Sequence, residues 1–218
     1  MKMIMLIALA VAALSMGVIR ADDTIKPDDD GFIRTWLVLA PIPYPVSDAV
    51  KAAEAGTGEG LDEEIVKELV KEQVPGEGKL RPKEGDEVKV GDKILTWKKH
   101  KSDSYLLDLN DLLGAQTEYS VAYAICYLVT RDKLDNLTLK TGSDDQAKVY
   151  INGKEVFKNE KVRPANQDQD STENVTLDKG VNRIVFKIVK WKYNWEGCLR
   201  FTDKDGKPIK NFEVRLKP

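Results

Sequence analysis

Two adjacent carboxylates, Asp144 and Asp145, lie in a polar stretch just before an apolar segment. Carboxylate oxygens are ligands that Ca²⁺ prefers, and a calcium site needs about six to eight oxygens. Asp144 and Asp145 are therefore candidate ligands for calcium and candidate contacts for a bound molecule, and the remaining ligands are unidentified. A simpler interpretation is favoured by the frequency of Asp in turns: one aspartate accepts hydrogen bonds from loop amides and starts the strand.

A cluster of aromatic residues forms the second group with binding chemistry. Trp191, Tyr193 and Trp195 alternate with polar residues, and aromatic faces beside polar groups suit the apolar face of a sugar ring. These three residues are therefore candidate sugar contacts. The alternative is that residues at the end of a strand pack inward, because Trp is highly buried on average.

Catalytic motifs are missing from the sequence. It contains no G-x-S-x-G, no C-x-x-C and no H-E-x-x-H, and its only histidine, His100, lies in a basic run that we expect to be a solvated loop. We predict that the protein is not an enzyme and has no catalytic residues. Paired carboxylates can still act as the acid and base of a glycosidase, so a glycan-active hydrolase is a less favoured alternative.

The elements that would position these residues have the pattern of short strands. Asn152-Gly153 between apolar segments predicts a two-residue hairpin turn with positive φ at both positions. This turn would place Val149 opposite Val156 and Tyr150 opposite Glu155. Residues 119–130 and 181–190 carry the longest strand patterns, and we expect them to be central strands.

The fold class follows from the balance of elements. An apolar stripe over residues 61–74 predicts one short helix, whereas strand patterns recur through the rest of the chain. We predict an all-β, jelly-roll-like antiparallel β-sandwich. It would form a single domain over residues 31–218, after a flexible lead-in at residues 22–30.

The beginning of the chain indicates export. Residues 1–21 combine a charged start, an apolar run and small residues, which is the pattern of a signal peptide cleaved after Ala21, or alternatively after Gly17. We expect a secreted, periplasmic or cell-envelope protein without a membrane span after cleavage; an uncleaved N-terminal anchor is the alternative. Lys plus Arg total 34 against 36 Asp plus Glu, so we expect no nucleic-acid partner.

Export would permit a disulfide between Cys126 and Cys198, the only cysteines of the chain. Cys198 alternates with Leu199 and Phe201, which we expect to face the core, so the Cys198 side chain should point the other way. We therefore favour two separate thiols over a bridge.

Several segments together carry a family resemblance. In chain order they are residues 36–41, 142–145, 149–154, 180–184, 195–201 and 203–206. Over roughly residues 32–218 the chain resembles the galactose-binding-like, jelly-roll accessory modules of secreted bacterial glycoside hydrolases and esterases. Its hairpin is similar to that of protective-antigen-type glycan-binding domains, although Gln146 stands where that family usually has glycine.

The first resemblance implies a secreted, non-catalytic module that binds carbohydrate or another extracellular polymer. The second implies that Asp144 and Asp145 hold calcium that bridges to sugar hydroxyls. A purely structural protein of the cell envelope, whose partner would be an envelope polymer, remains the alternative from a different class.

Overall fold

The computed structural model of the protein describes residues 25–47 and 61–218. The helices of this part are α1 (Leu61–Val70), α2 (Leu109–Leu113) and a short 3-10 helix (Glu77–Lys79). The strands are β1 (Thr35–Pro43), β2 (Glu87–Val90), β3 (Lys93–Thr96), β4 (Lys98–Lys101), β5 (Leu107–Asp108), β6 (Ser120–Thr130), β7 (Leu134–Asp144), β8 (Gln146–Ile151), β9 (Lys154–Asn159), β10 (Asp170–Leu177), β11 (Gly180–Lys190), β12 (Glu196–Thr202) and β13 (Phe212–Arg215).

The strands form two main antiparallel sheets. The larger sheet has the order β4-β1-β6-β11-β8-β9, and β13 also pairs with β6; the smaller sheet has the order β10-β7-β12-β5. A separate hairpin joins β2 to β3. Side chains of the two sheets meet in one core, in which Phe186 of the larger sheet packs with Leu199 of the smaller one. The predicted all-β antiparallel sandwich is confirmed.

The central strands β6 and β11 of the larger sheet are buried on both faces, and β6 is apolar on both sides. On β6, Ala124 and Cys126 face the sandwich core. Tyr123 and Ile125 face a second apolar cluster, which contains Leu69 of α1 and Val74 of the segment after it. A strand between two packed layers needs apolar residues at successive positions, so β6 lacks the alternation of apolar and polar residues that a half-solvated strand has.

A buried polar cluster holds that outer layer on the sheet. The Lys187 ammonium of β11 donates to the carbonyl oxygens of Leu69 (2.8 Å) and Lys71 (2.6 Å) and to Glu77 Oε2 (3.1 Å). The hydroxyls of Tyr123 and Tyr150 donate to the same carboxylate at 2.5 and 2.6 Å. Because these groups satisfy one another, polar side chains can be buried between two apolar layers.

The hairpin between β8 and β9 has the predicted turn, with φ of 53° at Asn152 and 90° at Gly153. Tyr150 lies opposite Glu155 as predicted, but the pairing of Val149 with Val156 was wrong. The register shifts between Val149 and Tyr150, which places Val149 opposite Phe157. A β-bulge inserts one extra residue into a strand, and the turn alone does not determine where a bulge lies.

Other local differences have similar causes. The strand β1 continues past Pro41 to Pro43 through a register shift between Leu39 and Ile42, and prolines in sheets are found at such irregular positions. The helix predicted over residues 61–74 ends at Val70. A second helix was not predicted: the Asp108 carboxylate accepts a hydrogen bond from the Asp111 amide (3.0 Å) and caps α2.

The predicted signal peptide, residues 1–21, lies outside the described residues. Residues 25–30 of the predicted flexible lead-in contact the sandwich, because Ile25 forms a bridge with Val214. Over residues 25–47 and 61–218, no helix is long and apolar enough to cross a membrane. Cys126 and Cys198 are two separate buried thiols, as favoured from the sequence, and burial raises the pKa of Cys198 to about 12.

Candidate functional site

The candidate residues meet where the chain crosses twice between the sheets. At Asp144 and Asp145, joined by a cis peptide bond, the chain leaves β7 of the smaller sheet and enters β8 of the larger one. Residues 191–195 return from β11 to β12 in the opposite sense. Hydrogen bonds join the two connections, since the Trp191 amide donates to Asp145 Oδ2 at 2.7 Å. We call this region, formed by residues 144–145 and 190–196, the crossover site.

Asp145 has a structural function in this site. Its buried carboxylate accepts hydrogen bonds from the amides of Arg163 (3.2 Å) and Trp191 (2.7 Å). Its own carbonyl oxygen accepts from Ser143 Oγ (2.8 Å) and Asn159 Nδ2 (3.1 Å). The interpretation that one aspartate accepts amide hydrogens and starts the strand is therefore confirmed for Asp145.

Asp144 has a different environment. It is 7% exposed, and within the described ranges its carboxylate accepts no hydrogen bond. In the strand register it lies beside Glu196, which lies in turn beside Asp108. Burial, followed by the charges of Asp145 and Glu196, raises the pKa of Asp144 to about 7, although Lys190 opposes the shift. Asp144 can therefore exchange a proton near neutral pH.

Lys190 fixes the connection that carries the aromatic residues. Its buried ammonium donates to Asn110 Oδ1 (2.9 Å) and to the carbonyl oxygen of Tyr193 (2.6 Å). Asn110 Nδ2 donates to the same carbonyl oxygen at 2.9 Å. Burial lowers the pKa of Lys190, whereas the nearby charges of Asp144 and Asp145 oppose the shift. Two donors from different elements thus hold the backbone at Tyr193.

The three candidate aromatic residues lie in different environments. Tyr193 is 70% exposed and has a φ of 64°, a left-handed conformation that is unusual for a bulky residue. Trp191 is half-buried. Trp195 is fully buried in the sandwich core, with the Lys190 ammonium 5.8 Å from its ring centroid. Trp195 thus packs inward, as the alternative interpretation had it, and offers no surface for a sugar in this conformation.

A calcium site needs about six to eight oxygen ligands. At the crossover site the Asp145 carboxylate already accepts hydrogen bonds from two amides, and Glu196 is the other acid beside Asp144. Among residues 25–47 and 61–218, no three His, Cys, Asp or Glu side chains are arranged to hold a metal ion. We therefore derive no chemistry through calcium, and ligation by Asp144 and Asp145 stays a prediction.

The histidine lies elsewhere in the fold. His100 is part of β4, which pairs with β1 at the edge of the larger sheet, so the expected solvated loop was wrong. Its side chain is partly buried, and this burial lowers the pKa of His100. His100 pairs with Trp36 of β1, and Trp36 is not one of the residues that form the crossover site.

Sequence patterns did not identify Lys190 and Glu196 as parts of this site, nor Asn110 as the residue that binds Lys190. Lys190 ends an apolar strand and would be expected to extend into solvent, and Asn110 belongs to the helix that was not predicted. Glu196 reaches Asp144 only through pairing of β12 with β7. The one available sign was the high density of polar and aromatic residues near the end of β11.

No protein-family model matches the chain, and no curated protein matches it in sequence.

Proposed function

We propose that the protein is a secreted, non-catalytic module that binds carbohydrate or another extracellular polymer through the crossover site. The observation that carries this proposal is the position of Tyr193. Its ring is exposed while its carbonyl oxygen is held by Lys190 and Asn110. An aromatic side chain held in solvent by an ordered backbone loses little further entropy when it binds a ligand.

The chemistry around Tyr193 suits a sugar. The aromatic face packs on the apolar C–H face of a pyranose, and half-buried Trp191 on the same connection extends the apolar contact. Asp144 adds a carboxyl group whose pKa is raised to about 7, so that it accepts a hydrogen bond from a hydroxyl when ionised and donates one when protonated. Ligand sites typically combine aromatic side chains with a small number of polar groups.

Secretion and the resemblance to galactose-binding-like accessory modules belong to the same proposal. The support for both is the sequence pattern of residues 1–21 and of the segments named above, together with the sandwich fold. A fold hosts many functions, so the proposal depends on the site and not on the architecture alone.

A binding experiment with matched variants tests the proposal. The purified protein is screened on an array of neutral and charged glycans, and affinity for each ligand found is then measured by calorimetry. We expect Tyr193→Ala to weaken binding at least tenfold. Ile94→Ala is the control, because Ile94 is a 65% exposed apolar residue on β3. Absence of glycan binding by the unmodified protein, or equal losses in both variants, would overturn the proposal.

Two further measurements separate the alternatives. Binding lost on addition of a chelator and restored by Ca²⁺ would support ligation by Asp144 and Asp145, whereas unchanged binding would count against it. Release of reducing sugar from any ligand found would favour the hydrolase. A cell-envelope protein without glycan affinity would instead sediment with isolated envelopes.

A further inference from the structure

Two adjoining surface grooves lie at the other end of β1 from the crossover site. Their volumes are about 250 and 450 Å³, and Ile25 and Lys99 line both of them. The nine-residue strand β1 begins at Thr35, which lines the second groove, and ends at Pro43, which pairs with Ser120. At about 3.3 Å per residue, these ends are about 25 Å apart. The grooves are therefore a separate surface, which we call the basic groove.

The basic groove has a strong excess of positive charge. Two acidic side chains, Asp28 and Glu84, lie among its lining residues. The cationic lining residues are Lys26, Arg34, Lys99, Lys101, Arg215 and Lys217. The formal net charge of the whole chain is −2, so this excess is local and does not reflect a basic protein. A concentration of like charge on one surface attracts ligands of the opposite charge.

Several of these charges are available to a ligand. Among the described residues, Lys99, Lys101 and Lys217 form no ion pair. The Asp28 carboxylate accepts hydrogen bonds from the amides of Asp30 (3.1 Å) and Phe32 (2.8 Å), which fix its position but leave its negative charge in the groove. Arg215 is paired with Glu213 at 2.9 Å, so the lysines carry most of the unpaired positive charge. Like charges held close together without counter-charges repel one another, and an anion bound between them would remove that repulsion.

The cations are also positioned by regular structure. Lys99 and Lys101 alternate along β4, the edge strand of the larger sheet, so their side chains leave the same side of the strand about 6.6 Å apart. The Arg34 guanidinium is held by two hydrogen bonds from Nε (3.0 Å) and Nη2 (2.7 Å) to the carbonyl oxygen of Ser102. A row of charges along a strand fits repeated anionic groups on an extended polymer better than one small anion.

We propose that the basic groove binds an anionic polysaccharide, whose carboxylate or sulfate groups contact Lys99, Lys101 and the cations around them. A single-stranded nucleic acid fits less well, because neither groove is lined by an aromatic side chain on which a base could stack. Duplex DNA, which binds through its phosphates, is compared directly in the test. This binding is independent of the crossover site, and neither proposal requires the other.

The test compares a charge-reversed variant with a matched control. Lys99→Glu/Lys101→Glu reverses two lysines on the edge strand β4, and Lys154→Glu/Lys158→Glu makes the same charge change on β9, the opposite edge strand. Affinity is measured for polygalacturonate, dextran sulfate, neutral dextran and duplex and single-stranded DNA, at low and at physiological salt. Both variants are first checked for native circular dichroism and melting.

We expect the unmodified protein to bind polygalacturonate or dextran sulfate, and binding to weaken steeply as salt rises. The β4 variant should lose at least tenfold in affinity, whereas the β9 variant should change less than twofold. The two polymers distinguish carboxylate from sulfate recognition. Equal losses in both variants, tighter binding of DNA than of both polymers, or no binding to either polymer would overturn the proposal. Tyr193→Ala should leave this binding unchanged, so the two proposals fail separately.

Discussion

Lys187 Nζ lies 3.1 Å from Glu77 Oε2, and both side chains are buried between the larger sheet and the layer that covers its outer face. Burial lowers the pKa of Lys187, and the charge of Glu77 opposes this shift. Removing one member of a buried ion pair leaves the other charge without compensation. The pair therefore links the stability of the outer layer to that of the central strand β11.

We predict that Glu77→Gln and Lys187→Met each lower the free energy of unfolding by about 3–5 kcal/mol. The double variant should be less destabilised than the sum of the two, because it leaves no unpaired charge. Urea denaturation of all four proteins measures the coupling. Asp135→Asn, which breaks the exposed pair with Lys133, is the control and should cost less than about 1 kcal/mol. Additive effects of Glu77→Gln and Lys187→Met would contradict the linkage.

Asp144 should make stability depend on pH. Its pKa in the folded protein is raised to about 7 from an ordinary value of 3.8, so the folded state holds a proton that the unfolded state has already released. Stability should therefore fall as pH rises from about 4 to about 7. In Asp144→Asn this loss is absent. The melting temperature of the variant should exceed that of the unmodified protein above pH 7 by at least about 2–4 °C, the shift that about 1 kcal/mol causes in a chain of this size, and the advantage should shrink towards pH 4.

Thermal melting of both proteins from pH 4 to pH 8 checks this expectation. Glu196→Gln is a useful comparison, because burial and Asp108 raise the pKa of the neighbouring Glu196 as well. Melting curves of the unmodified protein and Asp144→Asn that stay parallel over the whole range would show that Asp144 does not titrate there.

Gly197 permits close contact between the two sheets. A Cβ atom at this position would lie 2.7 Å from Ile188 Cδ1 and 2.8 Å from Phe186 Cε1. We predict that Gly197→Ala lowers the free energy of unfolding by about 1–3 kcal/mol. Adding Ile188→Val, which removes the Cδ1 atom, should recover part of the loss. If the losses of unfolding free energy in Gly197→Ala and Ile188→Val simply added in the double variant, the contact with Ile188 would not be the cause of the loss in Gly197→Ala.

Two aromatic residues of one connection should respond in opposite ways. Trp195→Ala empties a buried position and should destabilise the fold by about 3–5 kcal/mol. Tyr193→Ala removes a 70% exposed ring and should change stability by less than about 0.5 kcal/mol. Tyr193→Gly should also be close to neutral, because relief of the left-handed backbone offsets the added flexibility of the unfolded chain. Thermal and urea unfolding distinguish these outcomes, and a large loss in Tyr193→Ala would show that the ring stabilises the fold.

Features determined by neighbouring residues were predictable from the sequence. The Asn152-Gly153 turn depends on the φ preferences of two adjacent residues, and the fold class depends on many short strand patterns. The bulge that shifts Val149 to Phe157 was not predictable, because it depends on how β9 fits its partner strand. The buried polar cluster was not predicted for the same reason: Glu77 meets Tyr150 across 73 positions of sequence.

The candidate site was predictable in part. Asp145 performs the turn function that its residue type favours, and Tyr193 is exposed at the end of a core strand. The inward position of Trp195 was left open by the sequence, because alternation at a strand end does not show which residue continues the core. Lys190 reaches Asn110 only in the assembled fold, so neither could be assigned to the site beforehand.

The pairing of β13 with β6 has a consequence for biosynthesis. At Tyr127 and Leu128 the central strand β6 takes Arg215 and Val214 as partners on one side and Arg183 and Asn182 on the other. A nascent chain that has emerged only as far as β12 leaves that part of the central strand with an open edge, which is prone to wrong pairing. The early strands can pair with one another before that point, but this part of the β6 edge is protected only once β13 is present. The sandwich is completed only after β13 has left the ribosome.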